Sequence, residues 1–380
     1  MSSAPMPSFD LKTELSRFQA ELPIERAWMP PSSWYTAPSI YALEQAAVFT
    51  NSWQPIARRA DLSAPGSFAS GVLAAQPWVA LRDAEGQLRA YHNTCRHKGR
   101  EVVQGCGRAD ELVCGYHAWT YGLDGKLKRA PQMAGVQEFD RACMSLPPIS
   151  IDTWGLWVFI HLGSKPKPLT EHMDGLTQAL GGPDWTSFRY HSFQTWTIDC
   201  NWKVVCDNYL DGGYHIPHMH PSLDAQIDMQ SYTTEVHENF SIQSAPSSPS
   251  EDERSDHAAG ARIGSAARYA WLYPNWMLNR YGPCIDTNLV IPLGPDRSEV
   301  HYEFFFLASK IDADKSFLED SIAQSLITQR EDTAICESVQ RGLASASYES
   351  GRYAPQLEIG EYRFHHLLAL DLKAAQAASR

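Results

Sequence analysis

The stretch Asp207–His220, DNYLDGGYHIPHMH, carries three histidines and two aspartates and little else that is reactive. Imidazoles and carboxylates at this density either hold a metal or lie solvated on a surface loop. A second reactive group precedes it, with Cys95 and His97 in NTCRHKG and Cys114 and His117 in LVCGYHAW. Two thiolates and two imidazoles could hold a tetrahedral zinc. Structural zinc sites more often use paired C-x2–4-C ligands than C-x-H, which weighs against zinc. Cys106, inside the intervening loop, reads as a spectator thiol.

These side chains need elements to position them. Between Trp53 and His161, the runs WVALRD, LRAYHNT, ELVCGYH and LWVFIHL are rich in β-branched and aromatic residues. Gly, Asp and Asn separate them, which predicts an antiparallel β domain. Asp124-Gly125 reads as a hairpin turn, and GSKPKPL as a linker. FQTWTIDCNWKVVCDNYLDGGYHIP begins strand-like and reads as helical from Cys200, with Pro217 ending or bending the helix. Residues 241–262, rich in Ser, Pro and acids, predict a mobile surface loop, a candidate gate for a pocket. YAWLYPNWMLNRYG and VHYEFFFLAS return to strand character. Ser316–Leu343 places apolar residues at i, i+3, i+4 and i+7, the mark of a long helix. The expected class is α+β: an antiparallel β domain over 46–165, then a domain over 166–380 with an antiparallel sheet flanked by helices. Residues 1–45, with a short helical pattern at the start, are expected to pack against the latter.

The chain has 380 residues, 43% hydrophobic and 20% charged, enough for two domains with real cores. A net charge of −12 argues against nucleic acid as a partner, since phosphate binding needs clustered Lys and Arg. No apolar run approaches a membrane span, so no membrane partner is expected. The opening residues lack an apolar core, which supports neither a secretory signal nor a transit peptide. Eight cysteines without such a signal point to a reducing, cytoplasmic setting.

C-x-H followed by C-x-x-H and then WTYGLDG resembles the Rieske [2Fe–2S] family. That resemblance implies Cys95 and Cys114 on one iron and His97 and His117 on the other, a ligand set that raises the reduction potential. The text NWK, DN and YH-x4-H resembles the catalytic domain of Rieske non-haem iron oxygenases. By it, His215 and His220 bind a mononuclear Fe(II), and QREDTAICESVQRGL supplies Asp332 as third ligand. Two imidazoles and a carboxylate on one face of Fe(II) leave positions open for dioxygen and substrate. Taken alone, Glu331-Asp332 would read as the solvated face of a helix. His218 then reads as a pocket-lining or supporting imidazole. The family assembles as trimers, in which the cluster of one subunit abuts the iron of the next through a bridging carboxylate. In many members that acid lies three residues before the first iron histidine, where this chain has Gly212. Asp211 is favoured for the bridge over Asp207, whose other reading is a hydrogen-bonding role within the helix.

PPSSWYTAPSIYALE, YPNWMLNRYGPCIDTNLVIPLGP and GRYAP with FHHLL narrow the resemblance to the choline monooxygenase branch, which borders on glycine betaine and stachydrine demethylases. It implies hydroxylation of a carbon next to a quaternary ammonium, choline becoming betaine aldehyde hydrate at the expense of O2. The alternatives are N-demethylation with formaldehyde release, and a non-catalytic Rieske electron carrier. A quaternary ammonium donates no hydrogen bond, so aromatic faces and a carboxylate must hold it. Trp276 and Tyr281 are the first candidates, with Tyr269, Trp271, Tyr273, Tyr214 and His218 behind them and Glu303 or Asp286 to balance the charge. No Rossmann glycine fingerprint is present. Electrons are therefore expected from NAD(P)H through a separate ferredoxin or flavin reductase, to a homotrimer or trimer-based oligomer.

Overall fold

A computed structural model describes residues 10–247, 266–311 and 313–378. The chain divides into two compact units, Gln45–Asp174 and the combination of Met1–Glu44 with Gly175–Arg380. Every strand pair in both is antiparallel, and the long helices belong to the second unit, so the class is α+β.

In Gln45–Asp174, seven strands form one sheet. Their order is β1 (Gln54–Arg58), β10 (Trp157–His161), β9 (Pro148–Trp154), β4 (Leu88–His92), β3 (Gln76–Arg82), β2 (Ser67–Leu73) and β5 (Cys106–Arg108). A smaller sheet joins β6 (Leu112–Val113), β7 (Thr120–Tyr121) and β8 (Leu127–Arg129). Asp124-Gly125 turns the chain between β7 and β8. Gly122 N donates to Lys126 O at 2.9 Å, and Gly125 takes φ +78°, which a side chain would resist. Val79, Leu81, Leu112, Trp119 and Tyr121 bury themselves around Cys95 and Cys114. Each such side chain removed from water is worth about 1.5–3 kcal/mol.

The second unit is built on a seven-stranded sheet. Its order is β11 (Phe188–Ile198), β17 (Arg297–Leu307), β16 (Cys284–Gly294), β15 (Trp276–Tyr281), β14 (Ala266–Leu272), β13 (Phe240–Pro246) and β12 (Thr233–Val236). The helix Trp202–Leu210 packs against two others, Lys315–Leu343 and Ile359–Ala378. Asn201 caps the first by accepting from Lys203 N, and Asp314 caps the 29-residue second by accepting from Phe317 N.

Two expectations change. Residues 241–246 belong to β13, which pairs with β14 from Ser241↔Trp271 to Pro246↔Ala266; the rest of the expected loop, from 248, lies outside the described residues. Composition misled because Ser241 and Gln243 are polar yet buried, and Gln243 Nε2 donates to Tyr209 O at 2.7 Å. The helix expected from Cys200 to Pro217 spans only Trp202–Leu210. Gly212 and Gly213 take φ +72° and +77°, left-handed values that break the helix five residues before Pro217. Pro217 instead sits in the first turn of a new helix, Ile216–Met219, where no backbone N–H is needed.

Candidate active site

The two Cys-His loops of the first unit share one backbone design. Cys95 O accepts from Gly99 N and Cys95 N donates to Arg100 O; Cys114 O accepts from Ala118 N and Cys114 N donates to Trp119 O. The fifth residue of each loop has positive φ, +76° at Gly99 and +56° at Ala118. Both thiols are buried. The rings of His97 and His117 lie 4.7 Å apart, and His97 stacks on Trp119 at 5.0 Å with planes 5° apart. His97 Nδ1 is buried without a hydrogen-bond partner, as befits an atom reserved for a metal. Loss of hydration, then the neighbouring His97 and Lys98, hold His117 below its ordinary pKa, favouring the neutral form that ligates.

A single tetrahedral zinc would need these four donors within about 4 Å of one another. Among the described residues, two His/Cys/Asp/Glu groups bring their ligand atoms within 4.8 Å, and neither contains Cys95, His97, Cys114 or His117. The wider spread suits a two-iron, two-sulfide unit. Tyr121 adds a hydroxyl that donates to Cys95 Sγ at 3.4 Å, fixed in that direction by Arg96 N donating to the phenol oxygen at 2.9 Å.

One of the compact groups is His215, His220 and Asp332. Asp332 Oδ1 lies 3.0 Å from His220 Nε2 and 3.7 Å from His215 Nε2, with the two rings nearly perpendicular at 80°. Each imidazole is held from behind. His215 Nδ1 bonds to Asp211 Oδ2 at 2.5 Å, and His220 Nδ1 bonds to Glu331 Oε2 at 2.6 Å. With Nδ1 occupied, both Nε2 atoms face Asp332, the arrangement that orients ligating histidines. Burial pushes the His220 pKa down, but the hydrogen bonds and charges of Asp332 and Glu331 outweigh it and carry it above 6.5. The site thus favours positive charge at that nitrogen, as a divalent metal supplies. Asn208 Nδ2 donates to Asp332 Oδ1 at 2.8 Å and fixes the carboxylate.

Glycine at 212 is a steric requirement. A Cβ there would run into the backbone of Leu357, so no side chain fits at this position. Asp211 also accepts the N–H groups of Gly213, Tyr214 and His215, shaping the turn that delivers His215.

Residues 52–140 match the model of the Rieske [2Fe-2S] domain, and residues 184–372 match the ring hydroxylating alpha subunit catalytic domain. The chain is 39% identical to the chloroplastic choline monooxygenase of Arabidopsis thaliana, over 96% of this chain and 87% of that protein. The chain belongs to the Rieske non-haem iron monooxygenases, as an alpha subunit.

Similarity extends to the carnitine monooxygenase oxygenase subunit of Acinetobacter baumannii, 28% identical over 90% of this chain and 94% of that one. A solved quaternary ammonium Rieske monooxygenase, described in terms of carnitine oxidation by gut microbiota, superposes with a TM-score of 0.80 at 27% identity, covering 91% and 96% of the two chains. The matched domains imply a [2Fe–2S] cluster and a mononuclear iron in this Rieske monooxygenase. A catalytic domain sets aside the bare electron-carrier reading. No helix among the described residues is long and apolar enough to cross a membrane.

Beside the His215, His220 and Asp332 group opens a cavity of the Rieske monooxygenase lined by five tyrosines: Tyr209, Tyr232, Tyr269, Tyr281 and Tyr302. Asn279, Asp286 and Asn288 contribute polar atoms, and Ser325, Thr328 and Asp332 form one face of the long helix. Of the aromatic candidates named from sequence, Tyr269 and Tyr281 line this cavity. Trp271, Trp276, Tyr273, Tyr214 and His218 do not. Trp276 is five residues from Tyr281 on the same strand, and strand pleating sends odd spacings to opposite faces. Tyr273 sits between β14 and β15, and its hydroxyl donates to Asp371 Oδ2 at 2.7 Å. Tyr214 and His218 point to solvent. Glu303 neighbours Tyr302 on β17, and so lies on the other face; Asp286 lines the cavity, as do Asp211 and Asp332 of the His215 group. Asp207 bonds Tyr35 and His365, away from the His215 group.

Tyr209, Tyr232, Tyr302, Asn208 and Glu331 were missed by sequence reasoning. Only Glu331 had a signal, its adjacency to Asp332 on the long helix.

Proposed function

We propose that this Rieske monooxygenase hydroxylates choline at its carbinol carbon, giving betaine aldehyde hydrate. The observation that carries the reading is the charge of the cavity. Five phenol rings and the buried carboxylate of Asp286 line it, and no Lys or Arg does among the described residues. Aromatic faces and one acid suit a quaternary ammonium. A betaine or carnitine carboxylate would find no Lys or Arg there among the described residues and would face Asp286, at a cost that choline avoids.

Asn279 Nδ2 donates to Asp286 Oδ1 at 2.6 Å, and Ser325 Oγ donates to Oδ2 at 3.2 Å, so the acid is held rigid. Asn288 Oδ1 is buried without a hydrogen-bond partner, an acceptor ready for the substrate hydroxyl. Burial raises the phenols of Tyr209 and Tyr232 well above their usual range, keeping them neutral.

His215, His220 and Asp332 would hold the mononuclear iron, whose chemistry when bound is activation of dioxygen for insertion of one oxygen atom into a C–H bond. Asp211 and Glu331 keep the two imidazoles aimed. Cys95, Cys114, His97 and His117 would hold the cluster that stores the electrons. A ferredoxin or flavin reductase using NAD(P)H supplies them, and a homotrimer brings a cluster to the iron of a neighbouring subunit through Asp211. The six other cysteines, none in a disulfide, support a reducing, cytoplasmic setting.

The test is a product screen with the reconstituted protein over choline, glycine betaine, carnitine and proline betaine. Betaine aldehyde from choline is expected. Formaldehyde from a betaine, with choline inert, would replace this reading with N-demethylation.

A further inference from the structure

The second compact donor group in the chain is Asp207, Glu361 and His365, whose ligand atoms also lie within 4.8 Å of one another. It shares no residue with the His215, His220 and Asp332 group. His365 is wholly buried and Glu361 is 5% exposed. His365 Nε2 lies 3.0 Å from Asp207 Oδ1 and 2.9 Å from the Tyr35 hydroxyl, which also donates to Asp207 Oδ2 at 2.7 Å. On the far side of the ring, Nδ1 meets the Tyr353 hydroxyl at 2.6 Å. An imidazole with Nδ1 pinned and Nε2 turned toward carboxylates is oriented as metal-bound histidines are.

A cation here would relieve the repulsion among neighbouring acids. Burial, then the charges of Asp207, Glu358 and Asp211, push the Glu361 carboxyl well up. It makes no hydrogen bond or ion pair to any described residue, although nearly all of it is buried. The ammonium that acts on Asp207 is Lys203, and that group is already bonded to Glu44 Oε1 at 2.5 Å. A buried acid without a partner, aimed at an aspartate and a histidine, is expensive to leave as it is.

We propose that Asp207, Glu361 and His365 form a second cation site, taking a divalent first-row ion such as Mn2+ or Zn2+. One imidazole and two carboxylates are a donor set such ions accept. The ion fastens three segments together: the helix Ser33–Thr36 through Tyr35, the helix Trp202–Leu210 through Asp207, and the helix Ile359–Ala378. Its role is structural. It sets the helix that carries Asn208 and leads into Asp211.

The experiment is an anaerobic Mn2+ titration of the iron-loaded, full-length protein, with free Mn2+ read by its EPR signal. One equivalent bound per chain is expected in the wild type and in His220→Ala, which removes an iron ligand only. Glu361→Gln is expected to weaken binding at least tenfold, and Tyr353→Phe, which keeps all three donors, by several-fold. Unchanged far-UV circular dichroism and thermal unfolding show that each variant folds; if Glu361→Gln does not, Tyr353→Phe decides. The idea is overturned if the wild type takes up no Mn2+, if neither variant binds more weakly, or if His220→Ala alone abolishes uptake.

Discussion

Asp211 Oδ2 sits 2.5 Å from His215 Nδ1 while the same side chain accepts the backbone N–H groups of Gly213, Tyr214 and His215. One carboxylate thus shapes the turn and aims the ring it delivers. Asn in its place can still accept backbone bonds but cannot carry the charge that the metal-bound imidazole calls for. We expect Asp211→Asn to retain mononuclear iron and lose roughly 10–100-fold in turnover, the range seen when such supports are removed. Iron analysis beside single-turnover product yield checks this; wild-type yield would remove Asp211 from the electron route and from ligand support alike.

Asp286 is 1% exposed and is the cavity acid nearest the choline reading. Asp286→Asn keeps the shape and removes the charge. The KM for choline should rise about tenfold, equivalent to roughly 1.4 kcal/mol, with a smaller change in kcat. The neutral carbon analogue 3,3-dimethylbutan-1-ol discriminates: its binding should be unchanged by the substitution. Equal losses for both ligands would mean that Asp286 supports the cavity wall rather than the cation.

The Tyr121 hydroxyl donates to Cys95 Sγ. A hydrogen bond to a cluster ligand favours the reduced, more negative state and so raises the potential. Burial, then the bond to Cys95, raise the phenol well above its usual pKa, so the donor persists at any working pH. Tyr121→Phe should lower the midpoint by roughly 40 mV, the equivalent of about 1 kcal/mol for one electron. Protein-film voltammetry measures it, and an unmoved potential would refute the role.

Lys203 and Glu44 are both fully buried and bonded at 2.5 Å, and Trp202 Nε1 donates to the other Glu44 oxygen at 2.8 Å. Burial lowers the lysine and raises the glutamate from their ordinary values, against the pull of the pair. Lys203→Met leaves a charge buried alone and should cost about 3–5 kcal/mol of stability. The double variant Lys203→Met with Glu44→Gln should recover most of it. Denaturant unfolding that shows the single and double variants equally destabilised would contradict the account.

Much of this was legible in the residues. Short β-rich runs between turn residues foretold the antiparallel β unit, and 3.6-residue periodicity foretold the helix Lys315–Leu343 almost to its ends. Both signals are local, set by which face of a strand or helix must leave water. Residues 241–246 escaped because polar side chains facing a polar cavity look like solvent-facing ones.

The types and short spacings of the metal donors are written in the chain, since Cys95 and His97 share one loop and His215 and His220 flank one short helix. What surrounds them required the folded molecule. Glu331 meets His220 across 111 residues, and Asn288 stands opposite Tyr302 through strand register. Register and pleat decide which aromatic rings share a face, and a shift of one residue reverses them all. That is why Tyr281 reaches the cavity while Trp276, on the same strand, turns away from it.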